Sequence, residues 1–350
     1  MITDYHWIDD NSQLEQLISL EKKAALAFDS EFERVNTYYP NPALFQFQIG
    51  EEFYLLDMKK LQPSEGLQNI LDNIIVHSGS EDLEIIQNMF NRQPKNVFDT
   101  QIAASLCGYG LHVSYQNLVK DLLDVDLPKE HSRSDWMRRP LSPNQIKYAI
   151  GDVAHLAEMK NILSQKLETL GRMEWFELVS KNKMHSTDAK EVIEKLFIKI
   201  SKSDRLNISQ KKLLFAILQW REDFAQQRNK PRNWIMKNDQ IRKIIKLRPG
   251  NNTELIKKAG LYEKFVEYNG NDLIALYDSS QKIHAKSLPD IFRLDLNQTQ
   301  IFAASKQMMI EKCEELDIPP SLVINTQDLK THIARGNTLN DIELWGLING

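Results

Sequence analysis

Two acidic residues, Asp29 and Glu31, end an apolar run that begins at Ala24 and has the composition of a buried strand. Side chains at positions i and i+2 of a β-strand point to the same face, which predicts Cα atoms about 6–7 Å apart for this pair. Two such carboxylates repel each other and lose hydration, and a divalent cation offsets both effects. The alternative is a strand that simply continues into a charged loop.

Two further acids and a tyrosine have spacings that suit the same chemistry. Asp82 lies in the first turns of a predicted helix, where the helix dipole offers an alternative reason for a carboxylate. Tyr148 and Asp152 are at positions i and i+4 of a helix that begins at Ser142-Pro143, so they share one face about 6 Å apart. Oxygen ligands of this kind suit Mg²⁺ or Mn²⁺, and two such ions can hold a phosphodiester during hydrolysis.

The composition is that of an ordinary globular protein with two or three domains. The 350 residues are 42% hydrophobic and 26% charged, which allows a sizeable core. The acidic N-terminus lacks the features of a signal peptide, and no apolar run approaches the ~20 residues of a membrane helix. The two cysteines, Cys107 and Cys313, indicate neither a disulfide framework nor a zinc site. We therefore expect a cytoplasmic protein without a membrane partner.

The net charge of −4 is unevenly distributed along the chain. Residues 201–260 contain 15 Lys/Arg against 5 Asp/Glu. A basic segment in an acidic protein predicts a polyanion-binding patch, in which Arg228, Lys230 and Arg232 are candidate contacts. The alternative is a solvated helix face.

The elements that must position the acids change in type along the chain. Residues 11–23 have the periodicity of an amphipathic helix, and strands are predicted at 24–32, 43–49, 53–57 and 73–76. The order indicates an antiparallel meander followed by α/β alternation, which gives a mixed sheet.

Two helix starts near the acids have capping signals. Ser78 and Glu81 have the spacing of a capping box, which places the start of the helix that contains Asp82. Asp99 is predicted to be the N-cap of a helix that opens at Val97.

From about residue 190 onward the strand signal disappears. Helices are predicted at 207–227, 238–247, 252–258, 262–267, 271–279, 297–315, 319–322, 326–334 and 339–347. Boundaries near 190–205 and 284–290 divide the chain into domains at 1–195, 205–284 and 290–350. The predicted fold class is therefore α/β, with a mixed-sheet domain followed by all-α helical bundles.

Six motifs, in this order along the chain, resemble ribonuclease D, a member of the DEDD superfamily of 3′→5′ exonucleases. They are Asp29-Ser30-Glu31-Phe32, Thr37-Tyr38-Tyr39-Pro40, His77-Ser78-Gly79-Ser80-Glu81-Asp82-Leu83, Asp99-Thr100-Gln101, Ser134-Asp135-Trp136 with Arg139-Pro140-Leu141-Ser142, and Tyr148-Ala149-Ile150-Gly151-Asp152-Val153. The Tyr-x-x-x-Asp spacing is similar to that of the tyrosine subclass. The resemblance covers roughly residues 20–165 and implies a ribonuclease H-like fold.

The resemblance also implies a role for each acid. Asp29 corresponds to the carboxylate that bridges two metal ions, while Glu31 and Asp152 correspond to ligands of the ion that carries the nucleophilic water. Asp82 corresponds to an aspartate that supports the other ion, largely through water. Tyr148 corresponds to the residue that orients the attacking water, and its unperturbed pKa of ~10 makes positioning more plausible than proton abstraction.

Other residues of these motifs have two interpretations. His77 either contacts the scissile phosphate or its water, or bonds a backbone group. Tyr38 and Tyr39 either stack on terminal bases or pack in the core. Ser30 stands where the family often has threonine and Gly151 where it often has alanine, and neither change is expected to touch a metal ligand.

The basic segment resembles the helicase-and-RNase-D C-terminal (HRDC) domain, a small helical module that binds nucleic acid. The resemblance lies in Leu213–Arg221, Arg228–Arg232 and Lys246–Pro249. Residues 290–350 are expected to form a second HRDC-like domain by comparison with bacterial ribonuclease D. Its acidity argues against an equal role in RNA binding.

The leading hypothesis is a 3′→5′ exoribonuclease that uses two divalent metal ions and releases 5′-monophosphates. The resemblance implies tRNA precursors as substrates, and we expect a monomer. One alternative is a 3′→5′ DNA exonuclease on the same fold, because no feature of the sequence reads the 2′-OH. Another is a nucleic-acid-binding protein that acts through residues 201–285 and has an inert nuclease fold.

Overall fold

The structure is a computed structural model that describes residues 4–19, 25–127, 134–184 and 189–349. These residues form two compact units. The first contains the described residues of Met1–Glu33, Pro40–His185 and Arg293–Gly350, and the second those of Arg34–Tyr39 and Ser186–Phe292. Residues 20–24, at the end of the first predicted helix and the start of the first predicted strand, lie outside the described part of the chain.

One six-stranded sheet is the centre of the first unit. Its strands are β1 (His6–Ile8), β2 (Leu26–Glu33), β3 (Asn41–Ile49), β4 (Glu52–Asp57), β5 (Asn73–Val76) and β6 (Asn96–Asp99). The order across the sheet is β1-β4-β3-β2-β5-β6. The β2, β3 and β4 strands pair antiparallel, whereas β1 pairs parallel to β4 and β5 pairs parallel to both β2 and β6. The predicted mixed sheet is thus confirmed.

Helices cover both faces of this sheet and are the other main elements of the described residues. Before the second unit come α1 (Asn11–Ser19), α2 (Glu65–Ile70), α3 (Ser80–Phe90), α4 (Thr100–Leu106), α5 (Tyr115–Leu123), α6 (Pro143–Val153), α7 (Leu156–Thr169) and α8 (Met173–Met184). The second unit contains α9 (Ala189–Ser203), α10 (Ile208–Gln227), α11 (Arg232–Ile235), α12 (Asn238–Leu247), α13 (Asn252–Ala259) and α14 (Glu263–Gln281). After it come α15 (Leu296–Glu315), α16 (Thr326–Ala334) and α17 (Glu343–Asn349).

The alternation of side chains along β2 separates two apolar layers. Phe28 packs with Phe45 and Phe47 in the layer that also contains side chains of α1, α2 and α3. Ala27 points to the opposite face and packs in the layer formed with α4 to α8. Asp29 and Glu31 follow Ala27 at intervals of two, so they share the second face.

The C-terminal helices pack in the core of the first unit. Met309, Cys313 and Trp345 are buried in the same apolar cluster as Leu106 and Phe176. Residues 293–349 therefore bury their apolar side chains against the sheet-bearing part of the chain. Their identity as a second HRDC-like domain, and the division at 1–195, 205–284 and 290–350, stay predictions.

The second unit has a helical core of its own, which includes Phe197, Leu214 and Ile244. Two details differ from the prediction. The α9 helix occupies most of the interval predicted as a boundary, and α14 is one helix where two were predicted. Gly270 lies inside α14 and does not end a helix. A Cβ at this position would stand 2.2 Å from Asn252 Oδ1, so the glycine permits the close packing of α14 against α13.

Two short strands are absent from the sequence prediction. One is β1, and the other is β6, where the prediction began a helix at Val97. The β6 strand pairs with β5, and its last residue, Asp99, then caps α4 by accepting bonds from the backbone N–H groups of Gln101 and Ile102. The predicted capping role of Asp99 is confirmed, and α4 begins at Thr100.

The structure also bears on the predictions about membrane helices and about the two cysteines. Among the helices that the structure describes, none has the length and apolar character needed to cross a membrane. Cys107 and Cys313 are both free thiols.

Candidate active site

Asp29 and Glu31 stand on the face of β2 that α6 covers, since α6 packs against β2, β3 and β4. Asp29 is in register with Gln46 on β3, and Gln46 Nε2 donates to Asp29 Oδ2 at 3.0 Å. Gln46 is fully buried. Its amide therefore fixes the orientation of the Asp29 carboxylate. Sequence reasoning missed this residue, and its only signal was a lone amide between two phenylalanines of an apolar strand.

The α6 helix brings Asp152 to the same place. Ser142 and Gln145 form a reciprocal capping box with Pro143 in the first turn, which confirms the predicted start of this helix. One carboxylate oxygen from each of Asp29, Glu31 and Asp152 lies within 4.8 Å of the other two. A strand near the N-terminus and a helix more than a hundred residues later thus supply one three-acid cluster.

Asp82 approaches from the opposite side of β2. The side chain of Ser30 alternates to that face, and its Oγ donates to Asp82 Oδ1 in the first turn of α3. Asp82 is not one of the three acids of the cluster, although it is close enough to raise the pKa of Asp29. The Ser30 hydroxyl thus orients the Asp82 carboxylate, and a threonine at this position would carry the same hydroxyl.

The start of α3 is built differently from the predicted capping box. No side chain of this segment caps the helix, and its N-cap is Gly79. Instead, the Asp99 carboxylate on the neighbouring strand accepts the N–H groups of Ser78 at 3.0 Å and Gly79 at 3.2 Å. Gly79 is required here because a Cβ would lie 2.5 Å from Val76 Cγ2. The capping-box prediction is therefore wrong, although the helix begins close to the predicted place.

The electrostatics of the four acids are unfavourable without a cation. Burial and the neighbouring acids raise the pKa of Asp29 well above its usual range and raise the pKa of Glu31 to about 9. Burial likewise raises the pKa values of Asp82 and Asp152 to about 7. Among the ion pairs formed by the described residues, none includes any of these acids. A half-buried, all-oxygen cluster without a cationic partner fits a hard divalent cation.

Tyr148 lies one helical turn before Asp152, as predicted. Burial and the nearby acids Asp152, Glu31 and Asp29 raise the pKa of the Tyr148 hydroxyl above its usual range. The hydroxyl is therefore protonated at neutral pH, and its hydrogen bond to Asp152 lowers the pKa of that carboxyl against the effect of burial. This state suits a group that orients water and not one that removes its proton.

Both ring nitrogens of His77 have protein partners. Nδ1 lies 2.9 Å from Thr100 Oγ1, and Nε2 lies 3.0 Å from the carbonyl oxygen of Val113. Burial lowers the pKa of His77, so the ring is neutral at pH 7 and donates its Nε2 proton to that carbonyl. Of the two interpretations of His77, the structure favours the bond to a backbone group.

The other predicted RNA contacts lie in the second unit. Tyr38 is 8% exposed, and its hydroxyl donates to Glu222 and contacts Arg232 Nη2 at 2.8 Å. Tyr38 and Arg232 thus take part in a buried internal network. Tyr39 is half-buried, and its N–H donates to Asn229 Oδ1 at 3.1 Å.

Arg228 and Lys230 are exposed, as expected for residues that contact a polyanion. The Arg228 guanidinium lies over the Phe224 ring, and Lys230 Nζ lies 5.9 Å from the ring centroid of Trp234. Trp234 is 60% exposed. Sequence reasoning did not select this tryptophan, whose signal was an aromatic residue immediately after the Lys-Pro-Arg turn.

The sheet, its acidic cluster and the separate helical unit define a class of nucleases. A family model described as 3′-5′ exonuclease matches residues 5–168, and the HRDC domain model matches residues 210–277. The ribonuclease D of Pseudomonas paraeruginosa is 30% identical over 99% of this chain and 94% of that protein. The enzyme of a Shewanella species is 29% identical over 91% of this chain and 84% of its own length.

A solved structure is similar over the whole chain. The crystal structure of Escherichia coli RNase D superimposes with a TM-score of 0.86 and 25% identity, covering 99% of this chain and 98% of that one. The chain belongs to the ribonuclease D family. It is a 3′→5′ exoribonuclease that acts on RNA, and its acidic cluster indicates the use of a divalent metal.

Proposed function

We propose that this exoribonuclease trims the 3′ ends of structured RNAs, including tRNA precursors, and releases 5′-monophosphates with the help of two divalent metal ions. The substrate class is supported by the similarity to Escherichia coli RNase D, which is described as an exoribonuclease involved in structured RNA processing. The observation that carries the catalytic proposal is the convergence of Asp29, Glu31 and Asp152 without a cationic partner.

The four acids divide into two groups by position. Asp29, Glu31 and Asp152 would bind metal directly, with Gln46 holding the Asp29 carboxylate in place. Asp82, held by Ser30, would support the second ion through water. When bound, the ions lower the pKa of a water molecule and stabilise the leaving oxygen of the phosphodiester.

Tyr148 would orient the attacking water through a hydrogen bond from its hydroxyl. Its hydroxyl is protonated and close to Asp152, so it can donate or accept a hydrogen bond without changing its charge. Orientation of this kind reduces the entropy that is lost on reaching the transition state. We therefore expect Tyr148→Phe to lower kcat more than it changes the metal affinity.

The catalytic proposal is tested by Asp29→Asn and Asp152→Asn, with Asp121→Asn as the control. Asp121 is an exposed carboxylate on α5. Digestion of a 3′-labelled RNA with Mg²⁺ or Mn²⁺ should fall at least about 100-fold in the first two variants and stay unchanged in the control. Undiminished digestion by either site variant would overturn the assignment.

Two further arms of this assay separate the alternatives. A matched DNA strand should be digested more slowly than the RNA strand, and equal rates would support a general 3′→5′ exonuclease. A chelator should abolish digestion while RNA binding through the basic unit remains. Function that is fully retained after chelation would support a binding protein.

The HRDC unit would hold the RNA body through its exposed basic residues. Replacing Arg228 and Lys230 with Gln should weaken binding of a structured RNA and flatten the salt dependence, while short-oligonucleotide cleavage persists. We also expect a cytoplasmic monomer, which light scattering after size exclusion would test for the oligomeric state.

A further inference from the structure

The helical stretch formed by α6 and α7 is interrupted beside Asp152. Only Ala154 and His155 separate the two helices. In a continuous α-helix, the His155 N–H would donate to the carbonyl of Gly151, four residues earlier. Here it donates to the hydroxyl oxygen of Tyr115 at 3.2 Å, and that hydroxyl donates to the Gly151 carbonyl at 2.9 Å. The Tyr115 hydroxyl thus replaces one hydrogen bond of the helix.

The helix is regular up to the interruption, since the Ala154 N–H donates to the Ile150 carbonyl at 3.1 Å. A side chain inserted between a helical donor and its acceptor separates them and bends the helix at that point. Asp152 lies between the two separated residues, Gly151 and His155, so the bend sets the direction of the turn that carries its carboxylate.

Tyr115 is itself held firmly. It is 8% exposed and is the first residue of α5, directly after the N-cap Ser114. Its ring packs edge-on against His77 with the centroids 5.6 Å apart. The same histidine bonds the carbonyl of Val113, two residues before Tyr115. The hydroxyl is therefore a fixed point to which the end of α6 is attached.

We propose that Tyr115 is a positioning residue for the metal site, which keeps the last turn of α6 bent so that Asp152 stays beside Asp29 and Glu31. The inference rests on the proposed role of Asp152 as a metal ligand. Without the hydroxyl, the His155 N–H can bond the Gly151 carbonyl directly. Closing that hydrogen bond would reduce the bend and move the Asp152 carboxylate relative to β2.

The direct test is Tyr115→Phe, which removes one oxygen atom and keeps the ring. Tyr109→Phe is the matched control, because among the described residues the Tyr109 hydroxyl bonds Lys166 on α7 and no residue of α6. Mn²⁺ binding is measured by calorimetry without RNA. We expect the Kd for Mn²⁺ to rise about 10–100-fold in Tyr115→Phe, as for loss of other groups that orient ligands, and to stay within about twofold in the control.

The outcomes of this titration are distinguishable. A Tyr115→Phe variant that binds Mn²⁺ as tightly as the natural chain overturns the inference. A natural chain that binds no Mn²⁺ overturns the proposed metal site itself. Saturating metal should restore kcat to Tyr115→Phe with an unchanged KM for RNA, and a kcat deficit that excess metal does not restore would assign Tyr115 to folding alone.

A second measurement needs no variant and holds even if Tyr115→Phe fails to fold. Coupling between sites is reciprocal, so metal bound at Asp152 should stabilise the hydrogen bonds through Tyr115. Hydrogen exchange of the His155 amide should slow at least about fivefold when Mn²⁺ is added. The Leu170 amide, which bonds Lys166 at the far end of α7, is the control. An unchanged His155 exchange rate would contradict the coupling.

Discussion

Both units of the molecule contain carboxylates that are shielded from water, but the partners of these carboxylates and the directions of their pKa shifts differ. In the second unit Glu222 is 3% exposed, and Arg232 bonds both of its oxygens, Nε to Oε2 at 2.5 Å and Nη2 to Oε1 at 2.7 Å. Burial raises the pKa of Glu222, but the hydrogen bonds from Arg232 and Tyr38 outweigh it and lower the pKa overall. In the first unit, Asp29 and Glu31 are half-buried without such partners, and their pKa values are raised.

The difference follows from the partner and not from the unit. Asp57, also in the first unit, is buried at the end of β4 and accepts two hydrogen bonds from Arg139, at 2.9 and 2.7 Å. A buried acid that is paired with an arginine has its charge balanced within the protein and needs no further ligand. A half-buried acidic cluster without an arginine retains a repulsion that a bound cation relieves, and this marks the functional site of the molecule.

The largest expected difference between the two kinds of acid is in metal binding. Asp29→Asn should weaken Mn²⁺ binding by more than about 100-fold, because it removes the carboxylate at the centre of the cluster. Glu222→Gln should leave the affinity within about twofold, because its partners are an arginine and a tyrosine. Calorimetric titration of both variants checks this, and equal losses would remove the distinction.

The effect on stability should have opposite signs in the two units. Glu222→Gln removes the carboxylate that accepts two hydrogen bonds from Arg232 and should destabilise the second unit by roughly 2–3 kcal/mol. Asp29→Asn relieves repulsion and should stabilise the metal-free first unit by about 1 kcal/mol. Hydrogen exchange of amides in β2 and in α10 reports each unit separately. A loss of protection in β2 of metal-free Asp29→Asn would contradict the prediction.

The pH dependence should also differ in sign. A carboxyl whose pKa is raised on folding contributes stability that is present below its unfolded pKa and is lost as the pH rises. The metal-free first unit should therefore lose stability between about pH 4 and pH 9, the pKa of Glu31. Glu222, with its lowered pKa, contributes stability that is lost only as the pH falls below about 4. Hydrogen exchange over this range, with and without Mn²⁺, tests both signs, and metal should remove the alkaline loss.

Sequence reasoning reached the acids but not the groups that hold them. Strand alternation placed Asp29 and Glu31 on one face, and helix periodicity placed Tyr148 with Asp152, because both patterns are local. Gln46, Ser30 and the Tyr115 hydroxyl act through strand register or through contacts between distant segments.

The same limit explains the predicted RNA contacts. Residue type suggests that Tyr38 stacks on bases and that Arg232 contacts phosphate. Glu222, which is 184 residues from Tyr38 and ten from Arg232, binds both. A sequence pattern shows which side chains can bind an anion or a base. It does not show which of them an internal partner has already engaged, since that depends on tertiary structure.

The smallest effect is expected at Ser30. Asp82 is intermediate between the two kinds of acid, because it has a hydrogen-bond partner but this partner is a neutral hydroxyl and not an arginine. Ser30→Ala removes this hydrogen bond and should raise the pKa of Asp82 further and weaken Mn²⁺ binding roughly fivefold, equivalent to about 1 kcal/mol. Ser30→Thr keeps the hydroxyl and should bind Mn²⁺ as the natural chain does. If Ser30→Ala bound Mn²⁺ as tightly as Ser30→Thr, the hydrogen bond from Ser30 would not be needed to orient the Asp82 carboxylate for metal binding.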